Sequence, residues 1–265
     1  MPETRHTSTR PEQYLLLGHD ERTHAHAHTR GHLVYPASGV LSMVTEAGAW
    51  VAPPNRIVWI PARFTHEHRA HGATDMRIVF LAPRLAELLP PRPAVLAMTP
   101  LAREAVLALT AGEPRSQAAR ARLRRVVIDD VVAAPEQPLH LPAPHDPRLV
   151  AVTGLVQQDM SAPATLAALG RGVGASERTL NRLFKSETGM NFVQWRTQLR
   201  IHRALLLLTD GKSVTRTAAA CGWANPSAFI GAFTSLVGQS PGRYQRSLSA
   251  PSEPAREESR TPRRG

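Results

Sequence analysis

Apolar residues recur with two different periods along this chain, and the change of period divides it. Between about residues 32 and 81, short β-branched and aromatic runs, HLVY, VLSMV, WV, IVWI and MRIVF, are separated by turn signals at Ser38-Gly39, Ala47-Gly48 and Pro53-Pro54. Even spacing of this kind predicts a small antiparallel sandwich or barrel. After Pro93 the spacing becomes helical over 100–112 and 116–134, where Leu123, Val127 and Val131 fall at i, i+4 and i+8 and the arginines fall mostly elsewhere. Both helices are expected to pack on the sheet or on a partner subunit. The stretch APEQPLHLPAPHDP, 134–147, holds five prolines and reads as a linker. From Arg148 to about Tyr244 the pattern is helical throughout, and the Pro/Ser/Arg/Glu-rich end after Ser247 reads as disordered. The expected domains are therefore 1–133, with strands over about 20–82 and helices over about 84–133, then a 148–247 helical domain and a 248–265 tail.

Charge adds a partner. The formal net charge is +11, and residues 161–247 alone carry +8, eleven Lys and Arg against Glu177, Glu187 and Asp210. A positive field concentrated in one helical segment suits a polyanion such as nucleic acid. No run approaches the roughly 20 apolar residues of a membrane span, and the N-terminus lacks an apolar run of signal-peptide length, so the chain reads as cytoplasmic. A single cysteine, Cys221, excludes a disulfide framework or a multi-cysteine metal site and reads as a small buried hydrophobe.

Within the helical domain, TLAALGRGVGASERTLNRLFKSETG, 165–189, reads as two helices around a tight turn at Gly174, with Ser176 as N-cap. The second helix turns Leu180, Leu183 and Phe184 to one side and Arg178, Asn181, Arg182 and Lys185 to the other. Arginine can pair bidentately with guanine and asparagine with adenine in a major groove. A solvated face is the competing reading. Lys212–Val237 repeats the plan: a short helix VTRTAAA, a turn at Cys221-Gly222, then Asn225 as N-cap and Pro226 at N1 of a helix with Phe229, Phe233 and Leu236 inward. Between the two units, Asn191 and Gln194 suit a capping box for a long helix over 192–209 that ends at Asp210-Gly211.

These residues resemble the AraC family of bacterial transcription regulators, through SERTLNRLFKSETGMNFVQW, LLLLTDGKSV, AAACGWANPSAFIGAF and GQSPGRY over about 148–246. The resemblance implies two helix-turn-helix units reading adjacent major-groove segments of double-stranded DNA, with RNA polymerase as a further partner, transcription activation as a role, and a homodimer. The contacting residues it implies are Arg178, Thr179, Asn181, Arg182 and Lys185 in the first unit and Asn225 and Ser227 in the second. The second reading helix carries Pro226, Ser227, Ala228 and Gly231 where bases would be met, and these have almost nothing to donate.

Nine of the twelve histidines precede residue 72. In HAHAHTRGH, 24–32, alternate imidazoles at 24, 26 and 28 point one way if the segment is extended, and His32 and His66 follow. A divalent metal or a solvated loop are the two readings. The spacing resembles the cupins, small β-barrels whose metal-binding members use HxH, a carboxylate or amide, and a later His; His26, His28, His32 and His66 are the ligands it implies. The glycine usual before the late His is Arg63 here, and His32 stands where Glu or Gln is usual. The fold class expected is thus α+β: a small cupin-like β-barrel with following helices, then an all-α domain of two helix-turn-helix units joined by a long helix. The function expected is DNA-binding transcription regulation by a chain that is not an enzyme, its N-terminal domain sensing a small effector or metal, or dimerising. A metal-dependent cupin enzyme, a dioxygenase or isomerase with an accessory basic domain, is the alternative, with Glu67 as its lone candidate base. A DNA-coating protein is a third reading.

Overall fold

A computed structural model describes residues 12–162 and 165–249. Among these residues seven strands form one antiparallel sheet: β1 (Glu12–Leu17), β2 (His32–Thr45), β3 (Gly48–Ala52), β4 (Arg56–Ile60), β5 (Glu67–Phe80), β6 (Ala94–Ala97) and β7 (His140–Pro142). The order is β1-β5-β2-β3-β7, with β4 branching from the first part of β2 and β6 pairing β4. The barrel expected from the strand spacing is not seen among the described residues; the sheet forks along β2 and stays open.

The forking explains a second difference. HLVY and VLSMV, expected as two strands around a turn at Ser38-Gly39, are one strand, β2, interrupted by register shifts at Pro36, Ser38 and Val40. Gly39 takes φ 74°, so the glycine supplies an irregularity inside a strand rather than a chain reversal. Before it, β2 pairs β4 through His32–Val34; after it, β2 pairs β3 through Leu41–Thr45. One strand therefore serves two neighbours.

Both faces of the sheet are covered, which is why its strands read as near-continuous apolar runs. Leu33, Tyr35, Ile57, Trp59, Val79 and Leu96 pack against the helices α2 (Pro100–Thr110) and α3 (Gln117–Ala133), through Val106, Leu109, Val127, Ile128 and Val131. A short α1 (Pro83–Ala86) precedes them. The alternate residues Val34, Val58, Ile60, Met76 and Ile78 face the other way, into a core completed by the C-terminal helices. On the outer edge, Glu12 of β1 is buried between Arg120, at 2.7 Å, and Arg124 of α3.

Seven α-helices follow among the described residues: α4 (Pro147–Gln158), α5 (Leu166–Gly172), α6 (Glu177–Leu183), α7 (Phe192–Thr209), α8 (Val214–Ala220), α9 (Pro226–Val237) and α10 (Pro241–Ser249). The α7 capping box forms as the sequence suggests, Asn191 and Gln194 each accepting from the other's backbone N–H, and Gly211 at φ 75° follows its end. The N-terminal half of α7, with Trp195 and Leu199, closes a core with Leu149, Val152, Leu166, Leu180, Leu183 and Phe184. Its C-terminal half, with Ile201, Ala204, Leu205 and Leu208, packs on the sheet and on Phe229 and Phe233 of α9.

The proline-rich stretch 134–147 is not a bare tether. Leu139 is fully buried and His140–Pro142 adds an edge strand to β3, a position where proline's missing donor faces outward. Gln198 of α7 donates to the Pro138 carbonyl at 2.6 Å and to that of His140. Arg56 of β4 donates to the Val237 carbonyl at the end of α9, to Gln137 Oε1 at 3.1 Å and to the Asn55 carbonyl at 2.8 Å. Of the segment after Ser247 expected to be disordered, residues from 250 onward lie outside the described residues. No helix among the described residues is long and apolar enough to cross a membrane.

Candidate nucleic-acid interface and imidazole cluster

The first helix-turn-helix is α5 and α6. Gly174 takes φ 65° in the turn, and Ser176 accepts from the Thr179 N–H at 3.1 Å to start α6. Gly170, an unfavourable residue inside a helix by propensity, has a packing reason: a Cβ there would lie 2.3 Å from the Ala175 carbonyl oxygen. The reading helix is short. It runs as α-helix to Leu183 and then widens into a π-turn, Phe184–Thr188, that ends at Gly189 with φ 72°.

Leu180, Leu183 and Phe184 are buried while Arg178, Asn181, Arg182 and Lys185 are exposed. The expected donors are not all equivalent. Lys185 donates to the Gly189 carbonyl at 3.0 Å and so closes the helix end, and the Thr179 hydroxyl sits 2.9 Å from that of Ser176 within the cap. The side chains of Arg178, Asn181 and Arg182 make no hydrogen bond or ion pair with another described residue. These three are the donors available to a ligand.

The second unit is α8 and α9. Asn225 accepts from the Ala228 N–H at 2.8 Å, so its side chain is used as the helix cap. Ser227, Ala228 and Gly231 are exposed on α9, beside Ile230 at 39% exposure. The turn glycine, Gly222, has φ 75°, and a Cβ there would lie 2.4 Å from the Met160 carbonyl oxygen. The 160–162 loop is held in turn by α7: Arg196 donates to the Ala162 carbonyl, and Arg200 to that of Met160 at 3.0 Å. Arg200 also lies over the Trp223 ring, 5.7 Å from its centroid. Two basic residues of the positive segment thus hold the two units together, and α7, about 27 Å long at 1.5 Å per residue, separates them. Cys221 is fully buried, and burial pushes its thiol up to about 11, as expected of a packing residue.

A second constellation lies in the sheet domain. Residues 18–31 run beside β5 without forming a regular strand, joined to it by bridges at Arg22–Arg69 and His26–His66. Within this frame His26, His28 and His66 offer one ligand nitrogen each, mutually within 4.8 Å, and so do His32, His66 and His68. His66 belongs to both triads. Ring centroids are 4.4 Å apart for His26 and His66, 4.7 Å for His28 and His32, and 5.0 Å for His66 and His68. The four histidines singled out from the sequence come together. His24 does not join the convergence read from alternation; it is exposed, and its carbonyl accepts from His26 Nδ1 at 2.6 Å.

His68 was missed, although it sits at i+2 from His66 and β-alternation puts both on one face. The Phe80 ring lies 5.0 Å from the rings of both His28 and His32 and walls the site. His66 is buried, and burial holds it down at about 4, the imidazoles of His26 and His28 adding to this. His32 is likewise pushed well below its usual range by burial, then by His66 and His28. His66 Nδ1 donates to the Phe64 carbonyl at 2.8 Å, which leaves the lone pair on Nε2. That Nε2 and His32 Nδ1 are buried with no hydrogen-bond partner, each costing about 1–3 kcal/mol if nothing satisfies it.

The glycine usual before the late histidine is Arg63, and it takes φ 61°. The conformation that favours glycine is therefore kept by an arginine, with the Arg63 N–H donating to the His28 carbonyl at 2.6 Å. Gly31 is required by space: a Cβ would lie 2.3 Å from the Trp59 ring, whose indole donates to the Pro90 carbonyl at 2.8 Å.

Comparison with known proteins matches residues 169–247 to a helix-turn-helix domain family. The chain is 34% identical over 236 residues to the HTH-type transcriptional regulator NimR of Escherichia coli, covering 87% of this chain and 85% of that protein. It is 33% identical over 101 residues to the HTH-type transcriptional regulator GlxA of Rhizobium meliloti, covering 38% of this chain and 31% of that one. Among solved structures, a transcriptional regulator of AraC-type DNA-binding-domain proteins from Chromobacterium violaceum is 26% identical over 40% of this chain and 95% of its own, with a TM-score of 0.38.

Proposed function

Because the chain belongs to the AraC family of helix-turn-helix regulators, and so is a DNA-binding transcription regulator rather than an enzyme, we propose that it reads its operator unequally. The first unit recognises bases and the second mainly holds the duplex. The observation that carries this is the outward stripe of α6, where the side chains of Arg178, Asn181 and Arg182 are exposed and bond to no other described residue. Arg182 is suited to guanine and Asn181 to adenine in a major groove. Thr179, Lys185 and Asn225, engaged in helix ends, support the reading helices instead and reach phosphates at most. The outward face of α9, with Ser227, Ala228 and Gly231, offers methyl and backbone contacts and little discrimination.

The sheet domain, cupin-like in its imidazole arrangement, acts as the sensor of a small effector and as the dimerisation unit. The DNA-binding helices act with RNA polymerase in the cytoplasm.

The test uses the full chain and an operator recovered by selection from random duplexes. Log affinity should fall linearly with log salt as phosphate counterions are released. R182A should cost about 1–3 kcal/mol and relax preference at one or two base pairs, while S227A stays close to sequence-neutral. Equal intolerance in both halves of the site, or a larger specificity change from S227A, would refute the unequal reading. Absence of binding to any duplex at low salt would refute sequence-specific regulation by this chain.

A further inference from the structure

We propose that the five imidazoles of His26, His28, His32, His66 and His68 form a binding site for one divalent late first-row transition metal ion, of the class of cobalt, nickel, copper or zinc. This deepens the reading of the sheet domain as a sensor by naming the chemical class of its ligand, and its regulatory meaning rests on that reading.

The donor set decides the class. Both triads of converging groups are made of imidazole nitrogens alone. Borderline-soft nitrogen donors suit the late first-row ions, whereas magnesium and calcium call for oxygen. No carboxylate belongs to either triad.

The geometry supports a ligand rather than a packed core. The buried His66 Nε2, the free lone pair of the ring shared by both triads, has no hydrogen-bond partner, and a cation can accept several such lone pairs at once. The rings are also oriented as metal-binding histidines are. His66 gives its Nδ1 proton to the carbonyl two residues earlier, and so does His26, to Phe64 and His24 respectively; this pattern fixes the tautomer and presents Nε2 inward. The ligand nitrogens lie within 4.8 Å of one another, and zinc–nitrogen bonds of about 2.0–2.1 Å place tetrahedral ligands about 3.4 Å apart. Small ring rotations close that gap. Because His26, His28 and His32 come from the irregular 18–31 segment and its junction with β2, while His66 immediately precedes β5 and His68 is its second residue, an ion here ties that segment to the sheet.

The full-length chain, stripped with a chelator, is titrated with cobalt(II) and separately with zinc(II), magnesium serving as the hard control. The expected result is one ion per chain retained through gel filtration, visible absorption bands of nitrogen-ligated cobalt, and a raised melting midpoint. Magnesium should give none of these. H66Q, which keeps a donor for the Phe64 carbonyl, and H32A, which removes the ligand atom outright, should weaken cobalt binding by more than 100-fold. H68A should weaken it by about 10- to 100-fold or shift the cobalt bands. H24A should bind as the parent does. Melting curves in chelator show whether each variant folds, and a variant that melts as the parent does without metal but fails to bind it supports the site. Binding lost equally in H24A and H66Q would mean chelation by the exposed HAHAH run and overturn the proposal, as would substoichiometric binding or H66Q binding like the parent. Since the readout needs no DNA, failure here leaves the DNA-binding reading standing, and loss of DNA binding leaves the metal result intact.

Discussion

Replacing Arg56 by alanine removes a guanidinium that joins three parts of the molecule. It starts on β4, is 6% exposed, and donates to the last-turn carbonyl of α9, to Gln137 in the proline-rich stretch, and to the Asn55 carbonyl. Burial pushes its pKa down to about 10, so keeping it charged in place costs roughly 3 kcal/mol. Against that stand three hydrogen bonds from a charged donor, at about 1.5–3 kcal/mol each. Truncation returns the desolvation cost and loses the bonds. It also leaves the Val237 carbonyl without its donor beside Gly238, which takes φ 77° and comes within 3.1 Å of the guanidinium if given a Cβ. The balance is a loss of about 2–6 kcal/mol, from three bonds at about 1.5–3 kcal/mol each less the roughly 3 kcal/mol of desolvation. Urea unfolding of R56A and the parent at pH 7 measures it as a lower midpoint at unchanged slope. Hydrogen exchange adds location, since amides in the last turns of α9 should open faster than those of α6. R56K, able to keep one of the bonds, should fall between. A loss under about 1 kcal/mol, or exchange that quickens equally everywhere, would show that Arg56 does not tie α9 to the sheet.

R63G should raise stability by up to about 1 kcal/mol, because glycine adopts φ 61° without the steric cost that arginine bears; a lower urea midpoint would mean the arginine side chain contributes what the backbone loses. Stability should also fall in acid. Burial holds His71 and His202 at about 4, below their unfolded range, so between about pH 6.5 and 4 the unfolded chain binds more protons than the folded one. Neither contributes above pH 7, and the loss grows as pH falls through that window and levels off near 4. H202Q should flatten the decline in urea midpoints measured from pH 7.5 to 4.5, and a parent profile already flat there would contradict the burial of these rings as neutral groups.

Elements whose ends carry their own chemistry were legible from residues alone. The start of α7 at Asn191 and Gln194, the start of α9 at Asn225-Pro226, and the gathering of His26, His28 and His32 around His66 are legible from the residues, and each is realised. What stayed hidden depends on partners distant in sequence. β6 and β7 are short, and they and β1 take their place from the edge a neighbouring strand offers. The bulge at Gly39 looks like a turn because glycine marks both, and only the pairing of β2 with β5 on either side tells them apart. Gly170 reads as a flaw until the Ala175 carbonyl is placed against it. The helix ends that engage Lys185 and Asn225 likewise divert side chains that composition alone would give to DNA.

The two ends of α7 belong to different cores, one built with α4, α5 and α6 and the other with the sheet and α9. A gene encoding such a chain cannot be cut at the proline-rich stretch and rejoined to a foreign sensor without loss. The recipient would have to provide a matching apolar face for Ile201, Ala204, Leu205 and Leu208, carbonyls in register with Gln198, and a cation where Arg56 stands. Recombination among relatives should therefore have favoured inheritance of sensor and reading head as one piece, with novelty entering through the imidazole cluster and the outward faces of α6 and α9, where a change disturbs neither core.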